Sequence, residues 1–182
     1  MPRAPFVLAV ALLALTAFAP PTPPPQTLQV VPLSRGGEVL VSFTLGARLT
    51  DDIRAAIQSG LTVKFVYKVD LRRSALGWFD RTVASATVTA SVRYDTLTRL
   101  YHVSRTVDDQ IDWADATDSE QAAWSALTHD FVRMSLFHGV ELESNAEYYV
   151  RVRAHTTPRN ASFIWPWEAD DVMGSAKFTF IR

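Results

Sequence analysis

Residues 61–72 read LTVKFVYKVDLR, and apolar and polar side chains alternate along most of this stretch. Its apolar set is Leu61, Val63, Phe65, Tyr67, Val69 and Leu71. The intervening set is Thr62, Lys64, Val66, Lys68, Asp70 and Arg72. Successive side chains of a strand point to opposite faces, so a period of two indicates one buried and one polar face. The stretch is therefore predicted to be a half-buried strand of an antiparallel sheet.

The same alternation recurs on both sides of this strand. A second long strand is predicted from Ala84 to Tyr94, where the inward side chains are mostly small. They leave room for a bulky neighbour, either a packed helix or tryptophans. Shorter strands are predicted at Leu28–Leu33, Val39–Leu45, Leu97–Arg105, Tyr148–Ala154 and Ala176–Phe180. The first of these is expected at a sheet edge, because Pro32 has no N–H to donate.

Two helices are expected between the strands. Thr50-Asp51-Asp52 places a capping residue and two acids at the start of the first, which Gly60 ends. The second begins at Thr117 or Asp118, where Thr117-Asp118-Ser119-Glu120 forms a capping box. Its predicted apolar face runs as far as Gly139 and consists of Ala123, Trp124, Leu127, Phe131 and Met134.

The segment LESNAEYYVRVRAHT, Leu142–Thr156, resembles the tyrosine corner and following strand of fibronectin type III and related immunoglobulin-like domains. EVLVSFTL and LTVKFVYKVDL resemble the second and third strands of that pattern, with Phe43 where the family often has tryptophan. The resemblance implies a mainly β fold. We expect residues 28–182 to form an immunoglobulin-like antiparallel β-sandwich with two inserted α-helices.

The N-terminal residues are typical of an export signal. Arg3 precedes an apolar run from Phe6 to Ala19, and Ala17-Phe18-Ala19 fits a cleavage site. Pro20 is unfavourable for the signal peptidase, so residues 1–19 are interpreted as a signal peptide or a short membrane anchor. Residues 20–27 then form a proline-rich spacer. The expected location is the bacterial periplasm or the outer face of the cytoplasmic membrane.

The arrangement also resembles an uncharacterised family of exported bacterial proteins, a domain of unknown function. The shared features are the signal, the strand-helix-strand order and GWFDRTVASATVTASVRYDTLTRLYHVSR at residues 77–105. This resemblance implies a bacterial envelope location and supplies no catalytic residues.

Composition and motifs exclude several classes of function. The formal net charge of −1 gives no basic excess for a nucleic acid, and the absence of cysteine excludes disulfides and thiolate metal sites. The histidines have no metal-motif spacing, and no phosphate-binding glycine loop is present. Ser125, His129 and Asp130 lie together on one predicted helix, which is a poor arrangement for a catalytic triad. We therefore predict no metal, no cofactor and no enzymatic activity.

The acid-rich residues 108–120, DDQIDWADATDSE, are interpreted as a solvated loop that ends in the helix cap. Calcium binding is the alternative, since carboxylates are its preferred ligands, although the ordered spacing of an EF-hand loop is missing.

The candidate partner-binding residues are Tyr149, Arg151, Arg153, Trp165 and Trp167. The first three, with His155, are predicted to face outward on the late strand, where Tyr and Arg suit a protein interface. The alternative is a solvated face in which acids such as Asp70, Asp95 and Glu147 pair with the arginines. Trp165 and Trp167 either plug the core or form a ligand platform.

These observations favour an exported, non-enzymatic binding or accessory module of the envelope that acts through protein–protein contacts. The expected partner is another envelope protein, and membrane contact is expected only through an uncleaved N-terminal segment. The alternative is a periplasmic hydrolase with carboxylate chemistry, or a small-ligand or carbohydrate-binding protein that uses the Trp165/Trp167 loop.

Overall fold

A computed structural model describes residues 27–74, 80–157 and 172–181. The elements of these ranges are, in chain order, β1 (Thr27–Arg35), β2 (Glu38–Gly46), α1 (Asp51–Gln58), β3 (Val63–Arg73), β4 (Arg81–Asp95), β5 (Leu100–Val107), β6 (Gln110–Thr117), α2 (Glu120–Thr128), β7 (Phe131–Ser135), β8 (Glu147–Thr157) and β9 (Val172–Thr179). The mainly β prediction with two helices is confirmed. Of the predicted leader and spacer, residues 1–26 lie outside the described residues, as do Trp165 and Trp167. Thr27, the last residue of the predicted spacer, instead begins β1, where it pairs with Gly46.

The strands form two antiparallel sheets. One sheet has the order β1-β2-β7, and the other has the order β6-β5-β4-β3-β8-β9. The central strand β3 pairs with β4 on one side and with β8 on the other. The two sheets come together along β1 and β9, where Gly174 lies so close to the backbone of Leu28 that a side chain at 174 would overlap it. The interior lies between the two sheets.

The inward side chains predicted for β3 do form the core. Phe65, Tyr67, Val69 and Leu71 are all buried, whereas Leu61 precedes the strand and is exposed. Tyr67 packs against aromatic rings from the facing sheet, with centroid distances of 5.0 Å to Phe43 and 4.7 Å to Phe131. These contacts join the sheets, because Phe43 and Phe131 belong to β2 and β7.

The helices pack against the six-stranded sheet where the inward residues of β4 are small. Both α1 and α2 contact β4, and Trp124 of α2 meets the ring of Phe65 edge-on at 5.7 Å. A packed helix therefore occupies the room that the small residues leave. Arg54 of α1 donates to the Glu120 carboxylate of α2 at 3.1 Å, which links the two helices.

The predicted extension of the second helix to Gly139 is wrong. Helix α2 ends at Thr128, and Phe131–Ser135 form strand β7. The pairing of β7 with β2 contains a bulge, since Val41 faces Met134 while Phe43 faces Phe131. The extra residue lets Phe131 and Met134 both point inward although they are three positions apart. That spacing imitates a helical face.

The acid-rich segment is also not the loop that its composition predicted. Asp108 and Asp109 form a tight turn with positive φ angles of 48° and 66°, and residues from Gln110 onward form strand β6 beside β5. Nearly every side chain of β6 is exposed. Strand β5 begins at Leu100 and not at Leu97, because residues 96–99 form the preceding turn and Leu97 is 92% exposed.

Candidate functional site

The outward surface of the six-stranded sheet is the candidate site, and the pairing of β3 with β8 builds it. In that register Asp70 lies opposite Arg151, and Lys68 lies opposite Arg153. On the other side of β3, Asp70 lies opposite Ser85 of β4. Because all these side chains alternate with buried ones, they emerge together on the face that turns away from the core. We call this surface the outer face.

Asp70 is the hub of the outer face. Its Oδ2 atom accepts hydrogen bonds from Nη2 of Arg151 at 2.8 Å and from Nη2 of Arg153 at 3.1 Å. Its Oδ1 atom accepts one from the Ser85 hydroxyl at 2.9 Å. The side chain of Asp70 is only 10% exposed, whereas those of Arg151 and Arg153 are 25% and 37% exposed. One nearly buried carboxylate therefore holds two partly exposed guanidinium groups.

The ionised form of Asp70 is favoured by its neighbours. Burial opposes ionisation, but the hydrogen bonds from Arg151 and Ser85 and the charges of Arg153 and Arg151 together lower its pKa below the usual value. The carboxylate stays negative at neutral pH and keeps both arginines in place.

Tyr149 anchors the neighbouring part of the outer face. Its hydroxyl donates to Oδ2 of Asp80 at 2.7 Å, while the guanidinium of Arg72 lies 5.7 Å from the centre of its ring. Burial of the hydroxyl and its hydrogen bond to Asp80 raise the pKa of Tyr149, so it remains neutral. Arg72 also donates to the backbone carbonyl of Asp80 at 2.8 Å. The tyrosine is thus fixed in a surface orientation.

Basic residues outnumber acidic ones on the outer face within the described strands. The strand registers and the alternation place there Lys64, Lys68, Arg72, Arg93, Arg151, Arg153 and Lys177, against Asp70, Asp95 and Glu147. Among the described residues, the Nε atoms of Arg72, Arg151 and Arg153 are buried and find no hydrogen-bond acceptor. The face therefore carries more positive than negative charge, and three of its buried guanidinium N–H groups lack an acceptor.

The outcome for the predicted site residues is divided. Tyr149, Arg151 and Arg153 lie together on the outer face, and Asp70 pairs with both arginines as the alternative interpretation expected. Asp95 and Glu147 also lie on this face, but neither pairs with the two arginines. Asp95 accepts from the backbone N–H of Leu97 at 2.8 Å, and Glu147 lies 3.7 Å from Lys177.

Sequence reasoning did not include Arg72, Lys68 and Ser85 among the candidates. Alternation alone shows that Lys68 and Arg72 face outward on β3, and this signal was available. A local sequence pattern does not show which strands flank β3 or in what register they pair. Only the structure therefore shows that these side chains lie beside those of β8.

Within the described residues, the Ser125, His129 and Asp130 group and the acid-rich residues 108–120 make local structural contacts. The Ser125 hydroxyl donates to Asp130 at 3.1 Å, whereas Nδ1 of His129 lies 2.6 Å from the hydroxyl of Thr128. Arg105 donates to Asp112 of the acid-rich segment at 2.7 Å. Within residues 27–74, 80–157 and 172–181, no three histidine or acidic side chains come together as a metal site would require.

An open cleft of about 370 Å³ lies at the β1–β2 turn. Its lining includes Val39, Phe137 and Leu142, with Glu38, His138 and Glu141 around it. Glu38 and Glu141 are both exposed. A carboxylic acid that works as a catalytic acid at neutral pH needs burial or a charged neighbour to raise its pKa, so the cleft gives weak support to hydrolase chemistry.

The family described as DUF4390, a domain of unknown function, matches residues 26–161. No curated protein and no solved structure matches the chain. In the part of the chain that the structure describes, neither helix has the length and apolar character needed to cross a membrane.

Proposed function

This chain belongs to the DUF4390 family, a domain of unknown function, and we propose that it is an exported, non-enzymatic binding or accessory module of the bacterial envelope. It acts through protein–protein contacts made by the outer face. The observation that carries the proposal is the sharing of one carboxylate, that of Asp70, by Arg151 and Arg153. The expected partner is an envelope protein with an acidic surface.

The local charge balance supports an acidic partner. Asp70 neutralises one of the two guanidinium groups that it binds, and Lys68 and Arg72 lie next to them on β3. Each guanidinium has five N–H donors in a planar fork that suits carboxylates. A partner carboxylate that engages Arg151 or Arg153 would use donors that Asp70 leaves idle.

The rigidity of the face supports a protein partner. Tyr149 is held by Asp80 and Arg72, and the arginines are held by Asp70. Side chains that are already ordered lose little conformational entropy on binding. Tyr and Arg are also the residues that most often dominate binding energy at protein interfaces.

We extend the proposal to the fold, which we assign to the immunoglobulin-like sandwiches. Support comes from β1-β2-β7 facing β4-β3-β8-β9, an arrangement like that of fibronectin type III domains, with β5 and β6 added beside β4. The hydroxyl of Tyr148 accepts a hydrogen bond from the backbone N–H of Glu143 at 3.0 Å. That contact is the hallmark of a tyrosine corner.

Export is the part of the proposal that rests on sequence alone. Its support is the basic start, the apolar run and the small residues of residues 1–19. Fractionation of the native cells, followed by mass measurement of the N-terminal peptide, tests it. We expect the protein outside the cytoplasm, and recovery from the cytoplasmic fraction would refute export.

Site-specific photo-crosslinking in native cells tests the binding surface. A photoreactive phenylalanine analogue replaces Tyr149 on the outer face or, as the matched control, Leu97, which is 92% exposed in a turn. We expect one repeatable partner from position 149, little or none from position 97, and loss of the product in an Arg151→Gln, Arg153→Gln variant. Equal products from both positions would show that the outer face is not the binding surface.

A further inference from the structure

Strand β6 forms an end of the six-stranded sheet. It pairs with β5 on one side, and among the described residues no strand pairs with its other side. The ladder runs regularly from Trp113 to Thr117, opposite Arg105 to Tyr101. Unpaired backbone N–H and C=O groups on an edge strand form a template for another strand.

The remaining sheet edges are protected. Edges β1 and β9 lie against each other at Leu28 and Gly174, and β1 also contains Pro32. Edge β7 has only five residues and is bulged, with Arg133 at a positive φ of 51°. Short, bulged, proline-containing and covered edges are the usual means of preventing strand addition. Among the strands that the structure describes, β6 is the edge whose regular part stays open.

The side chains of β6 define what the open edge would accept. Ile111 and Trp113 are 77% and 37% exposed and offer apolar contact. Asp112 and Asp115 lie within the strand, and Asp109 and Asp118 flank it. The N–H of Ala116 donates to the Asp115 carboxylate at 2.8 Å, so a carboxylate covers part of the edge.

We propose that β6 binds an extended, cationic segment of another protein as a seventh strand of this sheet. A lysine or arginine side chain of that segment would pair with Asp115, drawing its carboxylate away from the N–H of Ala116, while Asp112, which already accepts from Arg105, would be shared with a second cation. That N–H would then donate to the incoming strand. Main-chain hydrogen bonds supply affinity and alternate side chains supply specificity in such complexes.

A second copy of this chain is the wrong occupant. Antiparallel pairing of two β6 strands would bring their aspartates together, and like charges opposite each other in a sheet are destabilising. The same carboxylates that repel a second copy select a cationic segment. The surface is separate from the basic outer face, so this proposal does not depend on the function proposed above.

Peptide binding followed by solution NMR tests the proposal on the full chain. The probe is an acetylated, amidated seven-residue peptide of alternating lysine and valine. One control replaces each lysine with glutamate, and another carries N-methyl groups at alternate backbone nitrogens. We expect the lysine peptide alone to bind, with at least about tenfold slower amide exchange at Ala116, since exchange slows when a donor enters a stable hydrogen bond.

Two substitutions at the edge separate strand addition from simple charge attraction. Ala116→Pro removes the covered N–H and Ala116→Val retains it, so we expect at least about tenfold weaker binding by the first only, because proline cannot donate to a ladder. Asp115→Asn should weaken binding as well. Equal affinity for the N-methylated peptide, equal affinity of the two Ala116 variants, or amide shifts centred away from residues 110–117 would overturn the proposal.

Discussion

Asp70 decides the chemistry of the outer face at the scale of a single residue. It is nearly buried, yet it is charged, and Arg151, Arg153 and Ser85 supply the donors that make this tolerable. Removing one partner of such a group leaves the others without compensation, which costs more than the interaction itself contributes. The residue that organises the face is thus an acid, although the face is basic.

Replacement of Asp70 by asparagine should destabilise the protein. The amide keeps an acceptor but removes the charge that holds the two guanidinium groups, and we expect a loss of about 1.5–3 kcal/mol, the range for hydrogen bonds to charged groups. Urea denaturation measures it. The control is Asp109→Asn, an exposed turn residue with positive φ, where asparagine is well tolerated. Equal effects of the two substitutions would contradict the role of Asp70.

The lowered pKa of Asp70 also predicts how stability depends on pH. Because the folded pKa lies below the unfolded one, this carboxylate stabilises the fold fully above the unfolded pKa. The contribution is lost as the pH falls through the folded pKa. The difference in unfolding free energy between the wild type and Asp70→Asn should therefore shrink on acidification, and a constant difference would exclude ionisation as the cause.

Element boundaries show where sequence patterns are sufficient and where they fail. Strand β3 and helix α1 follow directly from alternation and from the Thr50 cap. Strand β6 has apolar side chains at 111 and 113 and then at 114 and 116, so the phase of its alternation changes and no single face is predicted to be buried. In the structure it buries neither face. Phe131 and Met134 gave a false helical signal, because a bulge changes the period of β7. A hydrophobic pattern identifies a strand through its buried face. A strand without a buried face and a bulged strand are therefore both missed.

The substitution Arg133→Gly distinguishes strand β7 from a continued helix. Arg133 has a positive φ of 51°, a region that costs a residue with a Cβ atom about 1–2 kcal/mol. Its N–H, which donates to the Ser42 hydroxyl at 2.9 Å, is kept by glycine. Glycine relieves strain of roughly 1–2 kcal/mol but loses about 0.5–1 kcal/mol more backbone entropy on folding. We therefore expect Arg133→Gly to stabilise the protein by about 0.5 kcal/mol in thermal or urea unfolding.

The neighbouring Val132→Gly is the matched control for that substitution. Val132 is 68% exposed in the same strand, and glycine there should destabilise by about 0.5–1 kcal/mol. In a helix, glycine at either position would destabilise. Loss of stability in both variants would therefore contradict the bulged strand.

The candidate site was only partly accessible from the sequence. Alternation put Tyr149, Arg151 and Arg153 on one face of their strand. The acid that the two arginines share, Asp70, is 81 residues before Arg151 and meets it only because β3 and β8 pair in one register. The pairing of strands far apart in the chain depends on how the hydrophobic faces of the whole molecule pack, so it cannot be inferred from a local sequence pattern.

Charge is distributed unevenly over the whole molecule. The formal net charge is −1, yet the outer face collects basic side chains while the β6 region is rich in aspartate. Oppositely charged surfaces on one small protein orient charged partners during approach. The two binding surfaces that we propose differ in sign and therefore select different partners.

Closure between the two sheets predicts a strong effect at Gly174. A Cβ atom there would overlap the carbonyl oxygen of Leu28, which belongs to the backbone of β1 and cannot rotate away. We expect Gly174→Ala to destabilise by about 3 kcal/mol, at the upper end of the usual cost of overpacking. Ser175→Ala, at the exposed next position, should be nearly neutral in the same denaturation measurement. A neutral Gly174→Ala would show that β1 and β9 are not in close contact.

The pairing of β3 with β8 is the claim on which both the core and the outer face depend. Cross-strand nuclear Overhauser effects between backbone protons test it most directly. We predict contacts that join Asp70 with Arg151 and Lys68 with Arg153. Contacts displaced by one residue, such as Asp70 with Val150 or Val152, would turn the arginines toward the interior and contradict the account.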